Sequence, residues 1–264
     1  MKQTRFIPIE NCGLQVREAQ EGQEESRVVE GMPIMFGRRS INLTPRNEER
    51  EVYEVLEPGC ITRELIEQSD IVLNLNHSNK VTDVLGRCRN GNGTLSLELR
   101  GDHVECSCEL PNTNNANDTL ELMRRGDITG MSFAFEDDWQ DRENGVSYER
   151  TSEMHNGKEV WLRHVKRITG LYDVAIVTHP AYEQTSVATR ELSDSIDKTI
   201  DEQLKQERMA EEEQKTREAQ EEQERKEREA LEEQERKERE RMARQNLMRQ
   251  RARVINQEID NLIV

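Results

Sequence analysis

Residues 126–139 read GDITGMSFAFEDDW, and they place a serine inside a stretch that is typical of a β-strand. Successive side chains of a strand point to opposite faces. One predicted face carries large apolar side chains, which are Met131, Phe133 and Phe135. The other face carries small ones, which are Gly130, Ser132 and Ala134. The small face leaves room for a substrate backbone beside the Ser132 hydroxyl, so this serine is a candidate nucleophile as well as a candidate surface hydroxyl.

The rest of the first 190 residues predicts many short strands. Short runs with strand-like alternation lie between Gly, Pro and Asn turn signals, at 4–10, 27–37, 50–61, 70–77, 84–111, 160–168 and 171–178. Short helices are predicted at 62–68 and 115–127, the second with Asn115 or Asn117 as its N-cap and Gly126 at its end. Many strands with few helices predict a β-rich barrel or sandwich.

Charge and composition divide the chain into two parts. The formal net charge is −16, and residues 191–264 contain 22 acidic and 16 basic side chains but no Gly, Pro or aromatic residue. Every Gly, Pro, Trp, Tyr and Phe lies in residues 1–190. A segment of that length can bury a proper core. We therefore predict a globular domain over 1–190 and a charged helical tail over 191–264.

The tail repeats EEQERKERE at 221–229 and 232–240. The repeat predicts acid-first i,i+4 ion pairs that support an isolated helix. The four pairs are Glu222 with Lys226, Glu224 with Arg228, Glu233 with Lys237, and Glu235 with Arg239. We expect a long solvated helix, because the repeat has too few apolar positions for a coiled-coil seam. The basic final segment, 241–264, places apolar residues on one helical face and is predicted to dock onto another surface.

Composition also argues against several classes of function. The acidic balance disfavours nucleic-acid binding by phosphate neutralisation. The sequence has no run of about 18 apolar residues, so no membrane span is predicted. The start MKQTRFIPIENC lacks the apolar stretch of a signal peptide. We therefore expect a cytosolic setting, in which the five cysteines are reduced. A metal site at His103, Cys106 and Cys108 is disfavoured, because the Cys-x-Cys spacing lacks a matching second pair and the alternation of Val104, Cys106 and Cys108 fits one buried strand face.

Three residues form a candidate catalytic group. A serine hydroxyl needs a base within hydrogen-bond reach, and the base gains from a third group that orients it. His77 follows Asn76 at the end of a predicted strand. Asp173 is predicted to share a strand face with Leu171, Ala175 and Val177, and a carboxylate on such an apolar face needs a partner such as an imidazole.

The residues alone leave structural roles open for all three. The other histidines are competitors for the role of base. His103 and His155 are interpreted as surface residues near turns, His164 lies in a strand with exposed charges, and His179 precedes Pro180.

The motifs around these residues resemble the prohead (capsid maturation) serine proteases of tailed bacteriophages. The segments that carry the resemblance, over roughly 28–190, include EGMPIMFG, LNHSNKVTDVLGR, CELPNT, LELMRRGDITGMSFAF and LYDVAIVTHPAYEQT. The resemblance implies an α+β, β-rich fold with a herpesvirus-protease-like β-barrel core and a few short helices. It also implies that Ser132 is the nucleophile, His77 the general base and Asp173 the orienting acid. Family members often carry Glu at the last position, and the herpesvirus relatives use a second histidine, so His164 is the rival third member.

The resemblance implies a serine endopeptidase that cleaves capsid or scaffold segments, and itself, during prohead maturation. Its partners would be the major capsid protein and scaffold segments, with possible self-association and with no cofactor, nucleic acid or membrane. It would act in the bacterial cytoplasm, inside the assembling procapsid. Two alternatives remain: an inactive protease-like scaffolding protein whose charged helix drives assembly, and a cysteine-dependent hydrolase that uses Cys106 or Cys108.

Overall fold

A computed structural model describes residues 3–7, 12–19, 25–178 and 187–262, with side chains described in 12–19, 25–178 and 191–251. The chain divides into two compact units, Met1–Lys198 and Thr199–Val264. The first unit contains the strands. No helix of the described residues has both the length and the apolar character that crossing a membrane requires.

The described strands form three sheets, with six, four and four strands. The first sheet has the order β1-β11-β14-β6-β7-β8, and these strands are β1 Gln3–Ile7, β11 Gly130–Asp137, β14 Ile168–Val177, β6 Asp70–Leu75, β7 Val84–Arg89 and β8 Asn92–Gly93. The second has the order β2-β3-β10-β9, with β2 Gln15–Val16, β3 Val28–Met35, β10 His103–Glu109 and β9 Leu95–Leu99. The third has the order β12-β13-β5-β4, with β12 Val146–His155, β13 Lys158–Val165, β5 Arg50–Leu56 and β4 Arg39–Asn42.

The prediction of a β-rich α+β fold is confirmed, but the prediction of a closed barrel is not. Among the described residues the first sheet ends at β1 on one side and at β8 on the other. A barrel requires every strand to pair on both edges. Strand β8 has only two residues, too few to extend the ladder around a cylinder. The chain instead covers its core with separate open sheets.

Three α-helices and one 3₁₀ turn accompany the described strands: α1 Arg63–Gln68, the turn Val81–Asp83, α2 Asn114–Arg124 and α3 Val187–Leu262. Gly126 ends α2 as predicted, because its φ of 78° is a left-handed conformation that glycine adopts readily. The predicted N-cap, Asn115 or Asn117, is wrong. The helix begins one residue after Thr113, whose extended backbone ends the preceding loop. Asn115 is instead used to hold the 3₁₀ turn, by donating to the Asp83 carboxylate at 2.7 Å.

The core confirms the two predicted faces of residues 130–135. Met131, Phe133 and Phe135 are at most 1 % exposed and belong to the main hydrophobic cluster. The rings of Phe133 and Phe135 stack with their centroids 5.0 Å apart. The face of β11 with large side chains therefore packs in the core, and the face with small side chains is left for other contacts.

One charged residue that the sequence predicts to be exposed is buried. Arg163 of β13 is 1 % exposed. Its guanidinium donates to the carboxylates of Glu54 on β5 and Asp137 on β11, and to the hydroxyl of Tyr148 on β12 at 3.3 Å. Burial opposes the guanidinium charge, but the attraction of Glu54 and the other neighbours outweighs it and raises the pKa of Arg163. This buried cluster, Arg163 with Glu54 and Asp137, ties the first sheet to the third.

A second polar group of the third sheet holds the start of α3, within the first unit. Arg50 and the amide of Asn47 both contact the carboxylate of Asp197, at 3.3 and 2.7 Å. Ile196 beside it is 1 % exposed. The first turns of α3 therefore belong to the packed structure of this unit.

Glu51, on the neighbouring position of β5, is also a buried acid. It accepts hydrogen bonds from the Tyr53 hydroxyl and the His155 ring, both at 2.6 Å. These bonds, the tyrosine bond first, lower the pKa of the Glu51 carboxyl.

The second unit is helical, as predicted for the tail. Three of the four predicted i,i+4 pairs form, namely Glu222 with Lys226 at 2.7 Å, Glu233 with Lys237 at 2.7 Å, and Glu235 with Arg239 at 3.1 Å. All these side chains are more than half exposed, so each pair contributes little alone. The predicted apolar face of 241–264 falls mostly on side chains after Arg251, which lie outside the described residues.

Candidate active site

Ser132 lies on β11, an interior strand of the first sheet. Strand β11 pairs with β1 on one side, where Phe6 is opposite Ser132, and with β14 on the other, where Ala175 is opposite. Ser132 is 2 % exposed, and its neighbours Ala134 and Ala175 are fully buried. Two flanking ladders fix the direction of the serine side chain, and the two alanines add little bulk around it.

Asp173 reaches the serine face through a β-bulge. Ala134 pairs with Asp173, but Phe135 pairs with Leu171, so Tyr172 is an extra residue on β14. A bulge of this kind shifts the alternation of the strand by one residue. Leu171 therefore packs in the core, while Asp173 faces the other side with Ala175. The prediction that Asp173 shares a face with Leu171 is wrong, because strict alternation does not hold across the bulge.

His77 is placed by a tight turn after β6. Asn76 and His77 have φ values of 50° and 56°, and the Ser78 N–H donates to the Leu75 carbonyl at 2.9 Å. Positive φ at both central residues is typical of a type I′ turn. Asparagine tolerates this conformation better than most residues, and the Asn76 side chain accepts a hydrogen bond from the Thr178 N–H at 3.1 Å. The turn directs the chain, and with it His77, back over the sheet.

The three predicted residues form one hydrogen-bonded chain. His77 Nδ1 lies 2.5 Å from Asp173 Oδ1, and His77 Nε2 lies 2.8 Å from Ser132 Oγ. Asp173 is 4 % exposed, and the imidazole side chain is 20 % exposed. In the neutral tautomer with a proton on Nδ1, the ring donates to the carboxylate and accepts from the hydroxyl. This is the arrangement that prepares a serine for nucleophilic attack.

The competing histidines lie elsewhere. His164 is on β13 of the third sheet, where its two ring nitrogens contact Glu57 at 2.5 Å and Glu149 at 3.1 Å. His103 contacts the neighbouring Asp102 carboxylate, and His155 contacts Glu51. The structure therefore brings His77, and not one of these three, to the Ser132 hydroxyl. His179 lies outside the described residues.

The cysteines are poorly suited to act as nucleophiles. Cys106 and Cys108 are each 2 % exposed, on β10 of the second sheet. Burial raises the pKa of the Cys106 thiol to about 12 and that of Cys108 to about 11. A thiol reacts as its thiolate, so neither side chain is activated. Their alternate positions on β10 agree with the predicted buried strand face.

Backbone amides that are close to Ser132 in sequence are candidates to stabilise an oxyanion, and some of them lie in the turn that precedes β11. The Gly126 N–H donates to the Met123 carbonyl at 3.0 Å, and the Asp127 N–H donates to the Leu122 carbonyl at 2.8 Å. Both amides are therefore used to end α2. Gly130, which is also close to Ser132 in sequence, is the first residue of β11 and pairs with Val177.

Comparison with known proteins places this chain in a family. No curated protein gives a significant sequence match. Among solved structures, the chain is similar to the bacteriophage T4 capsid assembly protease, gp21, with a TM-score of 0.34 and 11 % identity over 68 % of this chain and 99 % of that chain. The family model described as Caudovirus prohead serine protease (Peptidase_S78) matches residues 13–200, a range that contains His77, Ser132 and Asp173. The chain therefore belongs to the Caudovirus prohead serine protease family.

Proposed function

We propose that this chain is an endopeptidase in which Ser132 is the nucleophile, His77 the general base and Asp173 the acid that orients the base. The observation that carries the proposal is the hydrogen-bonded chain from Asp173 through His77 to Ser132. Membership of a family of prohead serine proteases supports the same assignment.

In the proposed mechanism, each of the three residues has a defined role in peptide hydrolysis. Ser132 Oγ attacks the scissile carbonyl carbon while His77 Nε2 takes the hydroxyl proton. The imidazolium then gives this proton to the leaving amine, the C–N bond breaks, and an acyl-enzyme remains on Ser132. Water attacks the ester by the same route, and the product acid leaves. Asp173 holds the ring by its Nδ1–H and stabilises the positive charge that the ring carries between the two transfers.

A fluorophosphonate tests this assignment without knowledge of the natural substrate. An activated serine displaces fluoride from the reagent: the Oγ–P bond forms, the P–F bond breaks, and the base takes the proton. We expect stoichiometric labelling of the full chain, with the adduct located at Ser132 by mass spectrometry. Labelling should be lost in Ser132→Ala and His77→Ala.

The chain offers matched controls for both residues. Ser147 of β12 lies opposite His164 in the strand ladder, so it is also a strand serine beside a histidine. Ser147→Ala and His164→Ala should label at the wild-type rate. A folded wild-type protein that is not labelled, or a Ser132→Ala variant that is labelled as fast, contradicts the proposal.

The substrates follow from the family and remain part of the proposal. A prohead protease acts within the assembling procapsid. The proposed substrates are therefore segments of the capsid and scaffold proteins, and the chain itself. Incubation of the purified chain should yield self-cleavage products that are missing in Ser132→Ala. Unchanged full-length protein in both samples would favour the alternative, an inactive scaffolding protein. The herpesvirus-protease relationship of the core stays a prediction.

The tail is proposed to dock the enzyme onto capsid or scaffold subunits. Its final segment is basic, with five Arg and two acidic residues in 241–264, whereas the preceding repeats are strongly charged with both signs. Co-assembly with the capsid protein should be lost on removal of 241–264, while fluorophosphonate labelling persists. Equal incorporation of the two forms contradicts the docking role.

A further inference from the structure

Asn74 is a buried polar residue that the relay of Ser132, His77 and Asp173 does not use. It lies on β6, between the buried core residue Leu73 and the turn that carries His77. Asn74 is 4 % exposed, and its Oδ1 has no hydrogen-bond partner among the residues that the structure describes. Buried acceptors are nearly always paired, so an exception requires an explanation.

Register places this residue beside the catalytic group. Asn74 pairs with Ala175 across the parallel ladder of β6 and β14, and Ala175 pairs with Ser132 across the next ladder. Directly paired residues share a face, so Asn74 lies on the face that also carries Ser132 and Asp173. Adjacent strands are about 4.8 Å apart, which puts the Asn74 and Ser132 backbones about 10 Å apart. The intervening residue is an alanine, and the ring of His77 spans this face from Ser132 to Asp173.

Folding alone does not account for an asparagine at this position. Ile71 and Leu73 of the same strand are buried and apolar, and asparagine is disfavoured within strands. An unpaired buried amide oxygen also destabilises the folded state relative to an apolar side chain of the same size. Residues that break local rules without a structural gain are expected mainly at functional sites.

We propose that Asn74 is a positioning residue for the base, and that its side-chain oxygen stabilises the positive charge that His77 acquires from Ser132. This inference rests on the proposed serine-protease function. An amide oxygen is the negative end of a fixed dipole, and in a buried site such a dipole stabilises developing charge strongly because it needs no reorganisation. In the proposed mechanism the ring is neutral before reaction, and the oxygen has no hydrogen-bond partner among the described residues. Once the imidazolium forms, the oxygen complements Asp173 from the neighbouring strand.

The test compares two variants of the full chain that have the same shape. Asn74→Thr keeps a side-chain oxygen, and Asn74→Val replaces it by a methyl group. The second-order rate of fluorophosphonate labelling at Ser132 should fall at least tenfold more in Asn74→Val than in Asn74→Thr. The melting temperature of Asn74→Val should equal or exceed that of Asn74→Thr, because no polar group is left unpaired.

A pH profile adds a readout that a purely structural role would not move. Loss of the oxygen makes the imidazolium less stable, so the acid limb of the labelling rate should move to lower pH in Asn74→Val. Thr119→Val is the control, since Thr119 is a buried polar residue of α2 whose hydroxyl donates to the Asn115 carbonyl. It should lose stability and keep both the labelling rate and the acid limb.

The outcomes separate this inference from the proposed function. If the wild type is labelled at Ser132 and the two Asn74 variants label equally, with the same acid limb, the role of Asn74 is refuted and the protease assignment stands. If the wild type is not labelled, the protease assignment itself fails. Asn74→Leu, a second apolar replacement of similar volume, must behave as Asn74→Val does, and wild-type labelling of a folded Asn74→Leu also refutes the role.

Discussion

Replacement of Arg163 by methionine should be among the most destabilising single changes in the first unit. The guanidinium contacts Glu54 and Asp137, and the three side chains are at most 2 % exposed. Arg163→Met would leave two carboxylates buried without their cation. Breaking a buried ion pair in this way costs about 3–5 kcal/mol.

The predicted loss corresponds to a large shift in the melting temperature. For a domain of 150–250 residues, a loss of 1 kcal/mol lowers the melting temperature by about 2–4 °C, so the expected decrease is about 6–20 °C. Urea unfolding measures the free energy directly. The comparison is best made in a Ser132→Ala background, so that self-cleavage does not degrade the sample.

A surface arginine supplies the matched control. Arg167 also contacts two carboxylates, those of Asp138 and Asp141, but its side chain is 50 % exposed. Arg167→Met should cost no more than about 1 kcal/mol, because exposed ion pairs contribute little. If Arg163→Met loses less than about 1 kcal/mol, or no more than Arg167→Met, the argument from burial is refuted.

The remaining predictions concern the thiols, an acid and the boundary of the first unit. Iodoacetamide at neutral pH should leave Cys106 of the folded protein unmodified, because burial raises the pKa of its thiol to about 12. Fluorophosphonate labelling should be unchanged by this treatment. Rapid alkylation of Cys106 would contradict the prediction. The Glu51 carboxyl has a lowered folded-state pKa, so it stabilises the fold above the unfolded pKa of about 4.3 and loses this effect as pH falls through the folded value. Glu51→Gln should therefore reduce stability at pH 7 and make it less sensitive to acid below about pH 4, as urea unfolding at several pH values would show. A chain that ends at Lys198 should unfold at a higher temperature than one that ends at Arg190, because only the longer chain keeps the ion pair of Arg50 with α3; equal stability would support the predicted boundary at 190.

The strand pattern of the sequence predicts most of the first unit, and it fails where strands carry charge. The core strands β3, β5, β6, β11 and β14 all appear near their predicted positions, because they combine apolar runs with turn signals. Strand β12 was not predicted. Six of its ten residues are exposed and its composition is polar, so hydrophobic periodicity gives no signal there. The same limit explains Arg163, since a lone sequence cannot reveal that two distant carboxylates meet it in the core.

In the candidate site, the sequence predicted three residues and missed a fourth. His77, Ser132 and Asp173 were selected by resemblance to a family, and the structure brings all three together. Asn74 was missed, although a polar residue in the run DIVLNL is a signal that sequence inspection could have found. Its significance depends on register across three strands, which no local pattern encodes.

The geometry of the relay depends on two irregularities rather than on regular sheet structure. Strict alternation along β14 would place Leu171 and Asp173 on the same face, so either the leucine would leave the core or the carboxylate would enter it. The bulge at Tyr172 removes this conflict, because it lets one strand send Leu171 to the core and Asp173 to the serine. Bulges are common next to active sites for this reason.

The turn at Asn76 and His77 is the second irregularity, and it places the base over the sheet. A parallel strand such as β6 would otherwise carry its chain away from the sheet in the direction of its axis. Two consecutive residues with positive φ reverse the chain within one turn, and the hydrogen bond from Thr178 to Asn76 ties this turn to the end of β14. Left-handed backbone at a histidine is unfavourable in isolation, and it persists only where the surrounding structure holds it. The same strand, β14, thus supplies the orienting acid through its bulge and the anchor of the base through its last residues. A change in the β14 register would therefore disturb both the carboxylate that contacts His77 Nδ1 and the anchor of the turn that carries His77, whereas Ser132 would stay in place on β11.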